Sequence, residues 1–114
     1  MGQGASRRFE VRAGGADLNP YLALAAIIAS GLHGVDQGLE LEPVLEGNAY
    51  VAGDRPHLPT SLLEARHLFA ESDVARAAFG ADVVDHYVNA GDVELAAYGS
   101  AVTDWERYRG FERL

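Results

Sequence analysis

Apolar and polar residues alternate one by one near the start of the chain. Further on they recur every three or four positions. Across Arg8, Phe9, Glu10, Val11 and Arg12, the charged residues fall on one side and Phe9 and Val11 on the other, which is the period of a strand. A short N-terminal strand is therefore predicted. Asn19 is a good N-cap, and Pro20 suits a first helical position because its missing N–H would have no partner there. Residues 21–32 are apolar nearly all round and rich in alanine, so they predict a helix that needs cover on both sides. Gly31, Gly34 and Gly38 are expected to weaken and end it. Residues 39–59 carry Pro43, Pro56, Pro59, Gly47 and Gly53 and read as a loop with a short extended piece at Tyr50 and Val51.

Helical periodicity then takes over. Ser61 and Glu64 stand at capping-box spacing ahead of Ala65, Leu68 and Phe69, so a helix should begin at Thr60 or Ser61. A short helix over residues 74–79 is punctuated by Gly80. Val84, Tyr87, Val88, Leu95, Tyr98, Val102 and Trp105 recur largely at three- to four-residue steps. They predict one long amphipathic helix over residues 81–108, with 89–92 as a point of kink or break. Arg107, Arg109 and Arg113 suit the negative end of its dipole. The expected fold is mainly α with one short N-terminal β-strand, in a single domain over residues 1–114.

Composition narrows the function classes. The 114 residues hold 17 acidic and 9 basic side chains for a net charge of −8, which argues against a nucleic-acid partner. With no cysteine there is no disulfide, thiolate metal site or cysteine nucleophile. No apolar run reaches membrane-spanning length and no apolar signal core opens the chain, so a cytoplasmic protein without a membrane partner is expected.

The row Arg8, Glu10, Arg12 is the strongest chemical candidate. Arginine forks bind phosphate or carboxylate, and a carboxylate can hold a hard divalent cation. Spacing alone is equally that of a solvated edge strand whose charges pair across its face. Other candidates are weaker. Gly2-Gln3-Gly4 and Gly14-Gly15 match no phosphate-binding fingerprint and read as turns. His33, His57, His67 and His86 lack zinc spacing; Asp82 and His86 at i, i+4 read as a solvated helix face. Tyr87, Tyr98 and Trp105 read as packing residues rather than a ligand cage.

Order adds what spacing does not. The R-x-E-x-R row, then Ala16-Asp17-Leu18-Asn19-Pro20-Tyr21-Leu22-Ala23-Leu24-Ala25-Ala26 running into Gly31-Leu32-His33-Gly34-Val35, form a first block. Pro59-Thr60-Ser61-Leu62-Leu63-Glu64-Ala65, Phe79-Gly80-Ala81-Asp82-Val83-Val84-Asp85-His86-Tyr87 and the closing 102–113 follow. Together they resemble the C-terminal part of the glutamine synthetase family. The closing stretch is similar to the glutamylpolyamine-synthetase-like and related bacterial branches.

That resemblance implies a C-terminal fragment of an α+β catalytic domain, with a site assembled from several strands and a neighbouring subunit. By the same resemblance Glu10 is a ligand of a catalytic Mg²⁺ or Mn²⁺, Arg8 contacts the phosphates of ATP, and Arg12 is catalytic, facing the glutamate substrate and the phosphoryl group. The implied reaction is ATP-dependent amide formation. A γ-carboxylate attacks the γ-phosphoryl of ATP, releasing ADP and leaving an acyl phosphate; ammonia or an amine then displaces phosphate. Cation and arginines act there through charge. The loop Ala13-Gly14-Gly15-Ala16-Asp17 departs from the Pro-containing acidic stretch of the best-known bacterial enzymes, which, with the tail Thr103-Asp104-Trp105-Glu106, shifts the expectation toward amine-specific or unassigned branches. The chain alone is expected to be inactive and, with uncovered edges and helix faces, to form a homo-oligomer. The alternative is a stand-alone, non-catalytic helical module for interaction or assembly.

Overall fold

Side-chain caps set most α-helix starts in this protein. Its computed structural model describes residues 4–6, 8, 10–51, 53 and 55–113, and the chain divides into two compact units, Met1–Leu58 and Pro59–Leu114.

In the first unit, the Asn19 side-chain oxygen accepts hydrogen bonds from the N–H groups of Tyr21 (3.0 Å) and Leu22 (3.4 Å). Helix α1 (Pro20–Asp36) follows, with proline at its first position as expected. It runs a turn beyond residue 32, because a glycine inside a helix costs only about 1 kcal/mol and Gly31 and Gly34 are absorbed. The stop is Gly38, at φ +59°. There the Leu39 N–H reaches the Gly34 carbonyl (2.9 Å) and the Gly38 N–H reaches that of Val35 (3.1 Å), the paired bonds of a Schellman motif.

Two expectations fail in this unit. Arg8 and residues 10–13 form no strand, and no described residue does; Arg7 and Phe9 lie outside the described residues, as do Gly2 and Gln3. A strand needs a neighbour to satisfy its N–H and C=O groups, and alternation supplies the faces but not the neighbour. Tyr50 and Val51 are not extended either. They lie in a 3-10 turn, Ala49–Val51, started by the Asn48 side chain accepting from the Tyr50 N–H at 3.0 Å.

The second unit is built of helices joined by short connections. Ser61 caps α2 (Leu62–Ala70) by accepting from the Glu64 N–H at 3.2 Å, while Glu64 accepts from the Thr60 N–H at 3.0 Å. Ser72 caps α3 (Asp73–Phe79) through the Ala75 N–H at 3.1 Å. Gly80, at φ +82°, turns the chain into α4 (Ala81–Ser100). Helices α2 and α3 both pack on α4. Among the described residues only Ala75 and Val84 are buried, and they mark the core of this unit.

The expected break at 89–92 is absent, and α4 passes straight through it. Gly91 is where the helix meets α2: an added Cβ would lie 3.2 Å from Arg66 Cγ. Next to it, Asp92 accepts from the Arg66 guanidinium at 2.6 Å. The true interruption is residues 101–103, after which α5 (Asp104–Arg113) begins. Thr103 and Glu106 form a reciprocal capping box there, with Thr103 N–H to Glu106 at 2.7 Å and Glu106 N–H to Thr103 Oγ1 at 3.3 Å. No described helix is long and apolar enough to cross a membrane.

Candidate functional site

Arg8, Glu10 and Arg12 lie on the irregular segment that leads to α1. The structure brings two of them together: the Arg12 guanidinium stands 3.2 Å from Glu10 Oε1, with both side chains largely exposed. Arg8 is exposed two residues earlier. The pair neutralises itself and leaves the row one positive charge, a suitable complement to an anionic phosphate or carboxylate. An exposed pair of this kind contributes little to stability, of order 0–1 kcal/mol, so its partners remain available for exchange.

The row is tied to α1 by a tight turn. The Leu18 N–H reaches the Gly15 carbonyl at 3.4 Å. A Cβ on Gly14 would fall 2.1 Å from Leu18 Cδ2, and one on Gly15 would fall 2.7 Å from Asp17 Oδ1. Both glycines are therefore positions where a side chain of the turn comes close. Asn19 closes the turn and starts the helix.

Whether these residues fit a divalent cation follows from the donor set. Mg²⁺ demands near-octahedral oxygen coordination. Glu10 offers one carboxylate, engaged by Arg12, and no group of three or more His, Asp or Glu side chains converges among the described residues. The described residues by themselves do not bring a set of cation ligands together. Asp82 and His86 are both exposed on α4, where the His86 ring meets Tyr87 edge-on at 5.3 Å.

Three aromatic residues expected to pack do not do so within the chain: Tyr87, Tyr98 and Trp105 are exposed. Ion pairs that sequence reading missed link residues of different helices in the second unit. Besides Arg66 with Asp92, Arg76 donates to Asp85 (3.0 Å) and to the Ala70 carbonyl (3.2 and 3.3 Å). In the first unit Arg55 pairs with Glu42. Separations such as 26 residues leave no local spacing signal for such pairs.

Comparison with known proteins gives this geometry a setting. The family model described as glutamine synthetase, catalytic domain, matches residues 1–109. The chain is 54% identical over all its 114 residues to a gamma-glutamylethanolamide synthetase of Streptomyces coelicolor, covering 24% of that protein. It is 40% identical over 109 residues to a glutamate–isopropylamine ligase of a Pseudomonas species, with 93% of this chain and 24% of the relative aligned. A glutamine synthetase of Rhizobium leguminosarum is 36% identical over 104 residues, with 88% of this chain and 24% of the relative aligned. The chain thus spans about a quarter of the length of these relatives.

Proposed function

The chain belongs to the glutamine synthetase catalytic-domain family, and from that premise we propose that it is the C-terminal part of an ATP-dependent carboxylate–amine ligase, inactive by itself. In this reading glutamate and ATP yield an acyl phosphate and ADP, and an amine or ammonia displaces phosphate to give the γ-amide. Arg8 binds nucleotide phosphate. Arg12 stabilises the charge that grows on the transferring phosphoryl group. Glu10 is one ligand of Mg²⁺ or Mn²⁺, the others coming from outside these 114 residues. The ligase as a whole is proposed to be a homo-oligomer acting in the cytoplasm.

The observation that carries the reading is the match over residues 1–109, which includes the whole Arg8, Glu10, Arg12 row. An amine is favoured over ammonia as the nitrogen donor. Two relatives named for amide formation with an amine are 54% and 40% identical, against 38% and 36% for two glutamine synthetases. The unusual loop at 13–17 agrees with that order.

Kinetics test the assignment. A coupled ADP-release assay with glutamate and ethanolamine, isopropylamine or ammonia should detect no turnover by the chain alone. In the ligase that contains it, Glu10→Ala should raise the metal requirement and depress turnover. Loss of Arg12 should lower kcat on the order of 100- to 1,000-fold with little change in nucleotide binding. Turnover by the isolated chain that vanishes in Glu10→Ala would refute its incompleteness. Kinetics of both ligase variants close to wild type would instead mean that the row is only a solvated face.

A further inference from the structure

Two adjacent glycines, Gly14 and Gly15, join the charged row to α1, and their backbone angles do not require glycine. Among the described glycines only Gly4, Gly38, Gly47 and Gly80 have a positive φ. Glycine is otherwise a poor choice for an ordered link, because it has the most conformational freedom to lose. Space is what these positions use it for. The Leu18 side chain folds back over Gly14, so a Cβ there would fall well inside contact distance of Leu18 Cδ2 and 3.5 Å from its Cγ. A Cβ on Gly15 would lie 2.7 Å from Asp17 Oδ1. The Leu18 N–H closes the same turn onto the Gly15 carbonyl at 3.4 Å.

The two ends of this turn are held unequally. Its far end is α1, where the Asn19 side chain binds the N–H groups of Tyr21 and Leu22. Its near end is the row, and Arg8 and residues 10–13 have no regular structure. Leu18 is 40% exposed. A methyl group added at Gly14 would therefore swing Leu18 outward and open the turn while the helix persists. The displacement passes to the end that is not pinned, and Arg12, two residues from Gly14, takes it first. A guanidinium fork acts through direction as well as charge, and a shift of about 1 Å in a catalytic group costs on the order of 100-fold in rate.

We infer that Gly14 is a positioning residue for Arg12. Its bare Cα lets Leu18 close the turn, and the closed turn sets where the Arg12 guanidinium stands. The inference deepens the proposed function and rests on the reading in which Arg12 stabilises the transferring phosphoryl group.

Gly14→Ala and the double variant Gly14→Ala/Leu18→Ala test it, made in the ligase that contains the chain and compared there with Arg12→Ala. Gly14→Ala should lower kcat roughly 10- to 100-fold with KM for ATP within about twofold of wild type. Leu18→Ala removes the atoms that the new Cβ meets, so the double variant should recover kcat to within about threefold of wild type. A mere loss of stability would not be reversed by a second truncation. In the isolated chain, Gly14→Ala should move the backbone amide resonance of Arg12, and the double variant should return it toward its wild-type position. Helicity by circular dichroism should stay at the wild-type level in both. The inference is overturned if Gly14→Ala keeps wild-type kcat while Arg12→Ala does not, or if Leu18→Ala brings no recovery. Wild-type kinetics in Arg12→Ala would instead remove the catalytic reading, and the inference with it.

Discussion

Two carboxylates, Glu10 and Glu106, stand in similarly exposed places and do different work because of what faces them. Glu10 meets a guanidinium whose charge it cancels. Glu106 accepts the backbone N–H of Thr103 at 2.7 Å and its hydroxyl at 3.0 Å, and these bonds hold its carboxyl below the ordinary 4.5. A depressed pKa means that the ionised form is favoured by folding. Its stabilisation is complete above pH 4.5 and is lost as pH falls through the lower, folded value. Helix α5 should therefore keep its helicity from neutral pH down to that point and fray below it, with amide chemical shifts of residues 104–107 reporting the change. Thr103→Ala should shrink the pH step without abolishing it, because it removes the hydroxyl but keeps the backbone N–H, the larger of the two causes. This cap was legible in principle, since Thr103 and Glu106 repeat the spacing of Ser61 and Glu64. The apolar period running through Val102 and Trp105 hid it, and a continuous helix was expected instead.

At the scale of elements, α1 and α4 respond to substitution in opposite ways. Val84 on α4 is fully buried, at 0% exposure, where α2 and α3 pack. Val84→Ala removes two methyl groups and leaves a cavity, so the second unit should lose about 2 kcal/mol, seen as a lower urea midpoint with an unchanged slope. Gly31 in α1 has no atom within 4 Å of the place its Cβ would take. Gly31→Ala should therefore raise the helicity of the isolated chain, by about 0.5–1 kcal/mol of local stability. Helix starts were readable where a side chain caps them, as at Asn19, Ser61 and, within a residue, Ser72. What escaped was set by distant partners. The α4 ladder at Gly91 and Asp92 is braced by Arg66 from another helix. Arg8 and residues 10–12 meet no described neighbour that would make them a strand.

On the scale of the whole molecule, family membership was legible because four blocks keep their order along the chain, and the match over residues 1–109 bears it out. How much surface would stay open was only half legible. The all-round apolar α1 announced a need for cover, but amphipathic spacing in the last helices suggested packing that the chain does not complete. Trp105, Tyr108 and Phe111 remain 65 to 88% exposed on α5. In the isolated chain, contact between copies should relieve part of such surfaces. Apolar contact at about 25 cal/mol per Å² favours association, while the charge of −8 limits its extent and keeps the product soluble. Light scattering after size exclusion at micromolar concentration should thus give a mass at least twice 12.2 kDa. The mass should rise with added salt, because screening weakens repulsion between copies and leaves apolar contact intact. A strictly monomeric species with a cooperative unfolding transition would mean that the chain covers its own apolar faces in solution, and that the exposed apolar side of α1 is not a stable feature of the molecule.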